Sequence, residues 1–229
     1  MAIGEFRLRI GYSKCGRARF LSHLEVMRAL ERSARRAQLA YAVTKGFSPH
    51  MKVAFGPALP VGTAGDREYF DIWLTAYSPA SDVMSDLIAA TPADLAPTAA
   101  QYVGGKEPSL SAAIAVAEYR VEMDQSEVDE EQFRTALDAV VASGELTVEQ
   151  KKKTKVYDLT KSLSKEPSVK VDEGKVIVEM AVRMGPDGAM RPDALIRTAL
   201  QRAHIAGATV LVTRTDVFIE EGDVLRRPL

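Results

Sequence analysis

Phe6-Arg7-Leu8-Arg9-Ile10 and, a little further on, Ser22-His23-Leu24-Glu25 decide how the rest of the chain is read. The first alternates apolar and basic residues. Period two puts Phe6, Leu8 and Ile10 on one face of a half-buried strand and both arginines on the other. The second is a serine followed three residues later by a glutamate, the capping box that opens a helix. Behind it Leu24, Met27, Leu30, Ala34 and Ala37 recur every three or four residues, so the helix carries one apolar stripe and runs to about Gln38. The residues between, Ser13 to Arg19, read as a basic loop broken by Gly16.

Outward from this start, a loop with Lys45-Gly46-Phe47-Ser48-Pro49-His50 leads to a short strand, Val53-Ala54-Phe55. Pro57, Pro60, Gly62 and Gly65 mark a connection, and Tyr69-Phe70-Asp71-Ile72-Trp73-Leu74 is a further strand. A helix over Asp82 to Ala90 stops at Pro92, and Ala96 to Val103 is a weaker strand. Gly104-Gly105-Lys106-Glu107-Pro108-Ser109 has no periodicity and reads as a domain boundary.

The order then repeats. Val116 to Met123 is a strand. Asp129 caps a helix with Phe133, Leu137 and Val140 inward, Val128 stapling to Phe133 and Gly144 ending it. Val156-Tyr157-Asp158-Leu159 and Val176 to Val182 are two strands, Pro192 opens the last helix, and Val210 to Ile219 closes the chain. Two successive βαββαβ patterns predict an α+β protein of two tandem ferredoxin-like halves, residues 5–103 and 116–220, each an antiparallel sheet covered by two helices. One larger α+β domain with the same element order is the alternative.

The 229 residues, 46% apolar and 27% charged, suit one large domain or two of about 100 residues. A formal charge of −1 conceals segregation. Residues 1–55 hold eleven Lys/Arg against three Asp/Glu, residues 56–150 four against seventeen, and residues 151–229 fifteen against eleven. The single cysteine, Cys15, excludes a disulfide framework, a multi-cysteine zinc site and an iron–sulfur cluster built from this chain alone. No apolar run reaches the roughly 18 residues of a membrane helix. The opening Met1-Ala2-Ile3-Gly4-Glu5-Phe6-Arg7 lacks the basic and apolar regions of a signal peptide, so a cytoplasmic protein without membrane contact is expected. Neither a Walker-type phosphate loop, a dinucleotide fingerprint, HExxH nor GxSxG occurs.

Candidate binding residues concentrate in the basic segment. Arg28, Arg32 and Arg36 stand at i, i+4 and i+8 on one helix face; Glu25 and Glu31 can pair with Arg28 and Arg35, but Arg32 and Arg36 have no acid a turn away. That face is either an anion site or a solvated face whose arginines pair elsewhere. Lys14, Arg17 and Arg19 precede the helix, whose N-terminus, capped by Ser22, adds oriented N–H groups suited to phosphate. Lys45, Phe47, Ser48, His50 and Lys52 combine an aromatic, a hydroxyl and lysines in an irregular segment, as single-stranded RNA sites do. Equally, Phe47 would serve as a plug fixing the loop to the core. His23 and His50 can hydrogen-bond a substrate or act as general acid or base. No metal-ligand spacing is present. Lys151-Lys152-Lys153 with Lys155 reads as a solvated turn.

Arg19-Phe20-Leu21-Ser22-His23-Leu24-Glu25-Val26-Met27-Arg28, then Glu31-Arg32, then Gly46-Phe47-Ser48-Pro49-His50-Met51-Lys52 together resemble the bacterial family termed radical SAM-linked protein, a domain of unknown function. The likeness is specific over roughly residues 5–75 and looser beyond, with Val212-Thr213-Arg214-Thr215 also similar. It implies a partner, a separately encoded radical-SAM protein, and the chain resembles the stand-alone form of the family. Without CxxxCxxC it cannot hold that chemistry's cluster, so no cofactor is expected in this chain. The expectation is an RNA-binding accessory protein that presents tRNA or rRNA to the radical-SAM enzyme. Alternatives are a metal-independent endoribonuclease, similar to the CRISPR RNA-processing enzymes and using His23 or His50, and a protein-docking scaffold.

Overall fold

The first strand is longer than its alternation suggests. In the computed structural model, which describes residues 5–150, 153–185 and 189–229, β1 spans Phe6–Lys14. Leu8, Ile10 and Tyr12 are buried in the core on one side. After a 3₁₀ turn at Gly16–Phe20 comes α1, His23–Arg36, with Ser22 and Glu25 forming a reciprocal capping box. The helix stops two residues before the expected end, where Gln38 takes a left-handed φ of 53°. Its Val26, Leu30 and Ala34 face the β1 core residues.

Then follow β2 (Val53–Phe55), β3 (Ala64–Leu74), α2 (Ala80–Ala90), a 3₁₀ turn at Ala93–Leu95, and β4 (Pro97–Tyr102). A one-turn α3 (Leu110–Ala113) precedes β5 (Ile114–Asp124) and α4 (Glu130–Ala142). Next come β6 (Glu145–Gln150), β7 (Lys153–Asp158), the one-turn α5 (Leu159–Ser162), β8 (Leu163–Asp172), β9 (Lys175–Arg183), α6 (Pro192–Arg202), β10 (Leu211–Glu221) and β11 (Val224–Arg226). The architecture is mixed α+β with mostly antiparallel strand pairing. No helix among the described residues is long and apolar enough to cross a membrane.

The chain divides into two units, Met1–Ile114 with Asp216–Leu229, and Ala115–Thr215, so β10 contributes residues to both. In the first, the strand order is β4-β1-β3 with β2 added on β3, and α1 and α2 pack on the core face. β1 and β3 run antiparallel with Leu8 opposite Ile72 and Arg9 opposite Asp71. β11 pairs with the Asp216–Glu221 end of β10.

In the second unit the order is β10-β5-β9-β8, with α4 and α6 in mutual contact. Val128, Phe133, Leu137 and Val140 are buried as the staple and stripe require, and Gly144 closes α4 at a φ of 72°. Pro192 opens α6 and Leu195, Ile196 and Ala199 are fully buried.

The expected strand at Val156 to Leu159 occupies a different place. Most of it falls in β7, which pairs with β6 in a separate two-stranded sheet. The partner of β9 is β8, a mostly exposed edge strand whose register shifts around Pro167. An edge strand rich in charge, with a proline where no ladder bond is needed, carries little of the apolar alternation by which strands are recognised.

Candidate nucleic-acid interface

The connection between α1 and β2 is built as a finger. Tyr41 bridges to Leu74 and Val43 to Met51, while the Ala42 N–H donates to the Trp73 carbonyl at 2.7 Å and the Lys52 N–H to the Ala42 carbonyl at 2.8 Å. The neck is closed by the Thr44 N–H donating to the His50 carbonyl at 2.8 Å and the His50 N–H donating to Thr44 Oγ1 at 3.2 Å. Beyond it Lys45, Gly46, Phe47, Ser48 and Pro49 are all exposed. Phe47 has no burial at all, which removes the reading of it as a plug in the core. An unshielded aromatic costs about 1.5–3 kcal/mol relative to a buried one, so its position at the tip of a hydrogen-bonded finger is a property to be explained.

His50 is bound into the same neck. Its Nδ1 lies 3.2 Å from the Ser48 carbonyl and 3.1 Å from Thr44 Oγ1. Both contacts fasten the ring to the neck through Nδ1 and leave Nε2 without a bond among the described residues. Lys52 is occupied: its ammonium pairs with the Glu5 carboxylate and sits 5.0 Å from the Trp73 ring centroid.

Contacts from α1 reach both ends of this connection. The His23 ring meets Phe55 edge-on at 5.6 Å, and the Arg35 guanidinium lies 6.0 Å from the Tyr41 ring. Arg28, Arg32 and Arg36 are exposed, but their surroundings differ. Arg36 donates to the Ala90 carbonyl at the end of α2 at 3.3 Å, a site where the helix dipole favours a cation. Glu31 pairs with Arg35 at 3.6 Å. Glu25 turns to Ser22, whose backbone N–H and hydroxyl donate to its Oε2 at 2.8 and 2.7 Å. The hydroxyl and backbone bonds hold the Glu25 carboxyl below its ordinary value, with Arg28 adding a smaller pull. Arg32 makes no hydrogen bond or ion pair among the described residues.

The segment before α1 is fastened to the protein. Lys14 is the last residue of β1 and 2% exposed, buried rather than carried on a loop. The Arg17 N–H donates to Asp94 Oδ2 at 2.9 Å, and Gly16, at a φ of 48°, leaves no room for a Cβ, which would stand 2.7 Å from the same carboxylate. Arg19 Nε donates to the Gly62 carbonyl at 2.9 Å. Donors that would cradle a phosphate ahead of α1 are thus partly taken by Asp94 and Glu25. The groups that remain displayed are Lys45, Phe47 and Ser48 on the finger, Arg28 and Arg32 on the helix, and the exposed side chain of Arg17, of which only the main-chain N–H is bonded to Asp94. Lys151 and Lys152 lie outside the described residues.

The strand arginines form a second charged cluster, which the alternation hinted at without locating its partner. Arg7 and Arg9 share Asp71, with Arg7 Nη2 donating to Oδ2 at 2.6 Å and Arg9 Nε to Oδ1 at 2.8 Å; Arg9 is 1% and Asp71 0% exposed. Arg7 also donates to the Glu107 and Pro108 carbonyls, and Arg9 to the Pro228 carbonyl at 3.3 Å. The signal in the sequence was Asp71, a carboxylate set among apolar residues in Tyr69 to Leu74. Among the described residues no group of three or more His, Cys, Asp or Glu is placed to hold a metal ion. Cys15 is exposed, its Sγ 3.7 Å from the Asp94 carbonyl.

An α+β chain with an exposed aromatic finger beside a basic helix is the class these features define. The chain belongs to the family described as uncharacterized protein conserved in bacteria (DUF2344), whose pattern matches residues 7–192. No curated protein matches it. Among solved structures it is similar to a chain in a crystal structure of a Cbf5–Nop10–Gar1 complex, with a TM-score of 0.46 and 12% identity, over 93% of this chain and 50% of that one. An unknown protein from Galdieria sulphuraria gives 0.27 and 13%, over 92% and 99%. A putative glycine cleavage system transcriptional repressor gives 0.22 and 9%, over 94% and 99%. The present chain therefore spans half of the first of these.

Proposed function

We propose that the chain is an RNA-binding accessory protein that holds an unpaired stretch of tRNA or rRNA on its finger and α1 and presents it to a separate radical-SAM enzyme. The observation that carries this reading is Phe47, wholly exposed at the tip of a finger whose neck is closed by Thr44 and His50. Unpaired bases stack on such aromatics, and lysines or arginines alongside neutralise the backbone. Lys45 on the finger and Arg28 and Arg32 on α1 are the cations displayed for that purpose. The radical-SAM partner rests on the motif likeness over Arg19 to Arg28, Glu31-Arg32 and Gly46 to Lys52. The strand orders β4-β1-β3-β2 and β10-β5-β9-β8 support reading the two units as ferredoxin-like halves, with β6–β7 as an insertion in the second.

The test is binding of fluorescently labelled single-stranded RNA and total tRNA across a salt series. Stacking is worth about 1–3 kcal/mol per base, so Phe47→Ala weakens binding by about tenfold or more. Arg28→Gln with Arg32→Gln lowers the salt slope by about 0.7 per lost phosphate contact. Salt-independent binding, or indifference to both changes, defeats the reading. Copurification with a radical-SAM protein tests the partner. The nuclease alternative draws on one observation, the exposed His50 ring held at the neck through Nδ1; RNA cleavage abolished by His50→Ala would favour it.

A further inference from the structure

The second unit holds a cleft that the finger and α1 do not explain. It lies between the β6–β7 hairpin and α6 and encloses about 720 Å³, within the roughly 300–1,000 Å³ range of small-molecule sites. In the hairpin Leu146 pairs with Tyr157 and Val148 with Lys155, so these four side chains share one face. Leu146 is buried, which makes this the inner face, while Val156 on the opposite face is 55% exposed. Along α6, Ala194, Arg197 and Gln201 follow at helical spacing and line the cleft from the other side.

Three of the polar side chains at this cleft are not consumed by the fold. Arg191 is neutralised by Asp193 in a two-point contact at 3.0 and 2.7 Å. The Arg197 guanidinium, the Tyr157 hydroxyl and the Gln201 amide make no side-chain bond among the described residues. The Lys155 ammonium, by contrast, is already engaged, 4.6 Å from the Tyr157 ring centroid. Glu149, at the margin of the cleft, pairs with Thr154 on the opposite hairpin face. With Arg191 already paired to Asp193, the Arg197 guanidinium is the cation that the described lining residues leave for a ligand, which suits one phosphate better than a polyphosphate. Tyr157 offers a planar apolar surface, and the Gln201 amide has both donors and an acceptor for the edge of a heterocycle.

We infer that the cleft between the β6–β7 hairpin and α6 binds a nucleotide monophosphate, with Arg197 on the phosphate, Tyr157 stacked on the base and Gln201 reading its edge. The same chemistry is presented by a free nucleoside monophosphate and by the 5′-phosphorylated end of an RNA strand.

The test is calorimetric and NMR titration of the full chain with AMP, GMP, CMP and UMP, their nucleosides, inorganic phosphate, and one tetranucleotide with and without its 5′-phosphate. Saturable binding of at least one monophosphate or of the phosphorylated tetranucleotide is expected, with amide shifts in Ala194 to Gln201 and in Thr147 to Tyr157 rather than in the finger. The shift map separates this site from RNA held on the first unit, so either reading can fail alone. Losing a charge-assisted bond corresponds to about a tenfold loss for Arg197→Gln. Tyr157→Leu weakens binding comparably, while Tyr157→Phe, which keeps the ring and the hairpin packing, retains it. A preference for the monophosphate identifies a free nucleotide, and a preference for the phosphorylated tetranucleotide an RNA end. No saturable binding of any phosphorylated nucleotide, shifts confined to other segments, or binding unaltered by both Arg197→Gln and Tyr157→Leu overturns the inference.

Discussion

At the level of single residues, the most consequential choice in the first unit is the carboxylate at position 71. Two guanidiniums are withdrawn from water on the face of β1 opposite the apolar core, and one fully buried aspartate faces both. Desolvating charges costs several kcal/mol each, and the cluster is tolerable because Asp71 and three backbone carbonyls satisfy the donors. Removing the acid leaves two uncompensated charges. Asp71→Ala is therefore expected to cost about 3–5 kcal/mol in urea denaturation. The exposed Glu118→Ala serves as the comparison, at within about 0.5 kcal/mol of the parent. Equal effects from the two changes would mean that the buried cluster contributes nothing to the fold. Lys14 belongs to the same lesson: its basic character and the nearby Gly16 read as a loop, and only the pairing of β1 with β3 shows that it is inside.

Among the elements, α1 was legible because two signals agreed, the serine–glutamate box and an apolar stripe, although Leu24 of that stripe is 61% exposed and the buried Val26 stands in its place. Its cap has a pH signature. Glu25 is held below its ordinary value by Ser22, so its contribution is complete above the unfolded-state value near 4.5 and is lost as pH falls through the lower folded value. Ser22→Ala should lower the melting temperature by about 2–4 °C at pH 7. The difference between variant and parent should narrow below pH 4, as the parent also loses its ionised Glu25. A difference that widens on acidification would contradict the cap as described. β5, α4 and α6 were readable for similar reasons, in stripes that end up buried. β8 was not, since an edge strand with Lys165, Glu166, Pro167 and Lys170 buries too little to leave a pattern. The finger was half legible: its residue types suggested single-stranded RNA, but the choice between Phe47 as plug and Phe47 as display depends on where the neck bonds of Thr44 and His50 hold it. The arginine stripe of α1 divided similarly, because i+4 spacing places three side chains on one face without saying that α2 ends beside Arg36.

For the molecule as a whole, the boundary suggested by Gly104 to Ser109 implies that the first unit is a contiguous stretch of chain, whereas Asp216–Leu229 is part of it. The late segment supplies more than a covering. Asp216, 3% exposed, receives Arg67 at 2.6 Å and Arg227 at 2.8 Å. Val217 and Ile219 are buried, and the Pro228 carbonyl accepts from the buried Arg9. A fragment ending at Ile114 would expose apolar surface that these residues cover and strand Arg9 without one of its acceptors, at a cost comparable to the 5–15 kcal/mol by which whole domains are stable. Residues 1–114 alone are accordingly expected to lack the near-ultraviolet circular dichroism of a packed Trp73 and to melt without cooperativity. Adding a synthetic peptide of residues 211–229 should restore both in a saturable manner, since binding only the folded form shifts the equilibrium toward it. A fragment that folds cooperatively by itself, with no response to the peptide, would show that the closing strand merely decorates the first unit. Restoration by the peptide would instead identify the two ends of the chain as one folding unit, assembled only after β10 has been made.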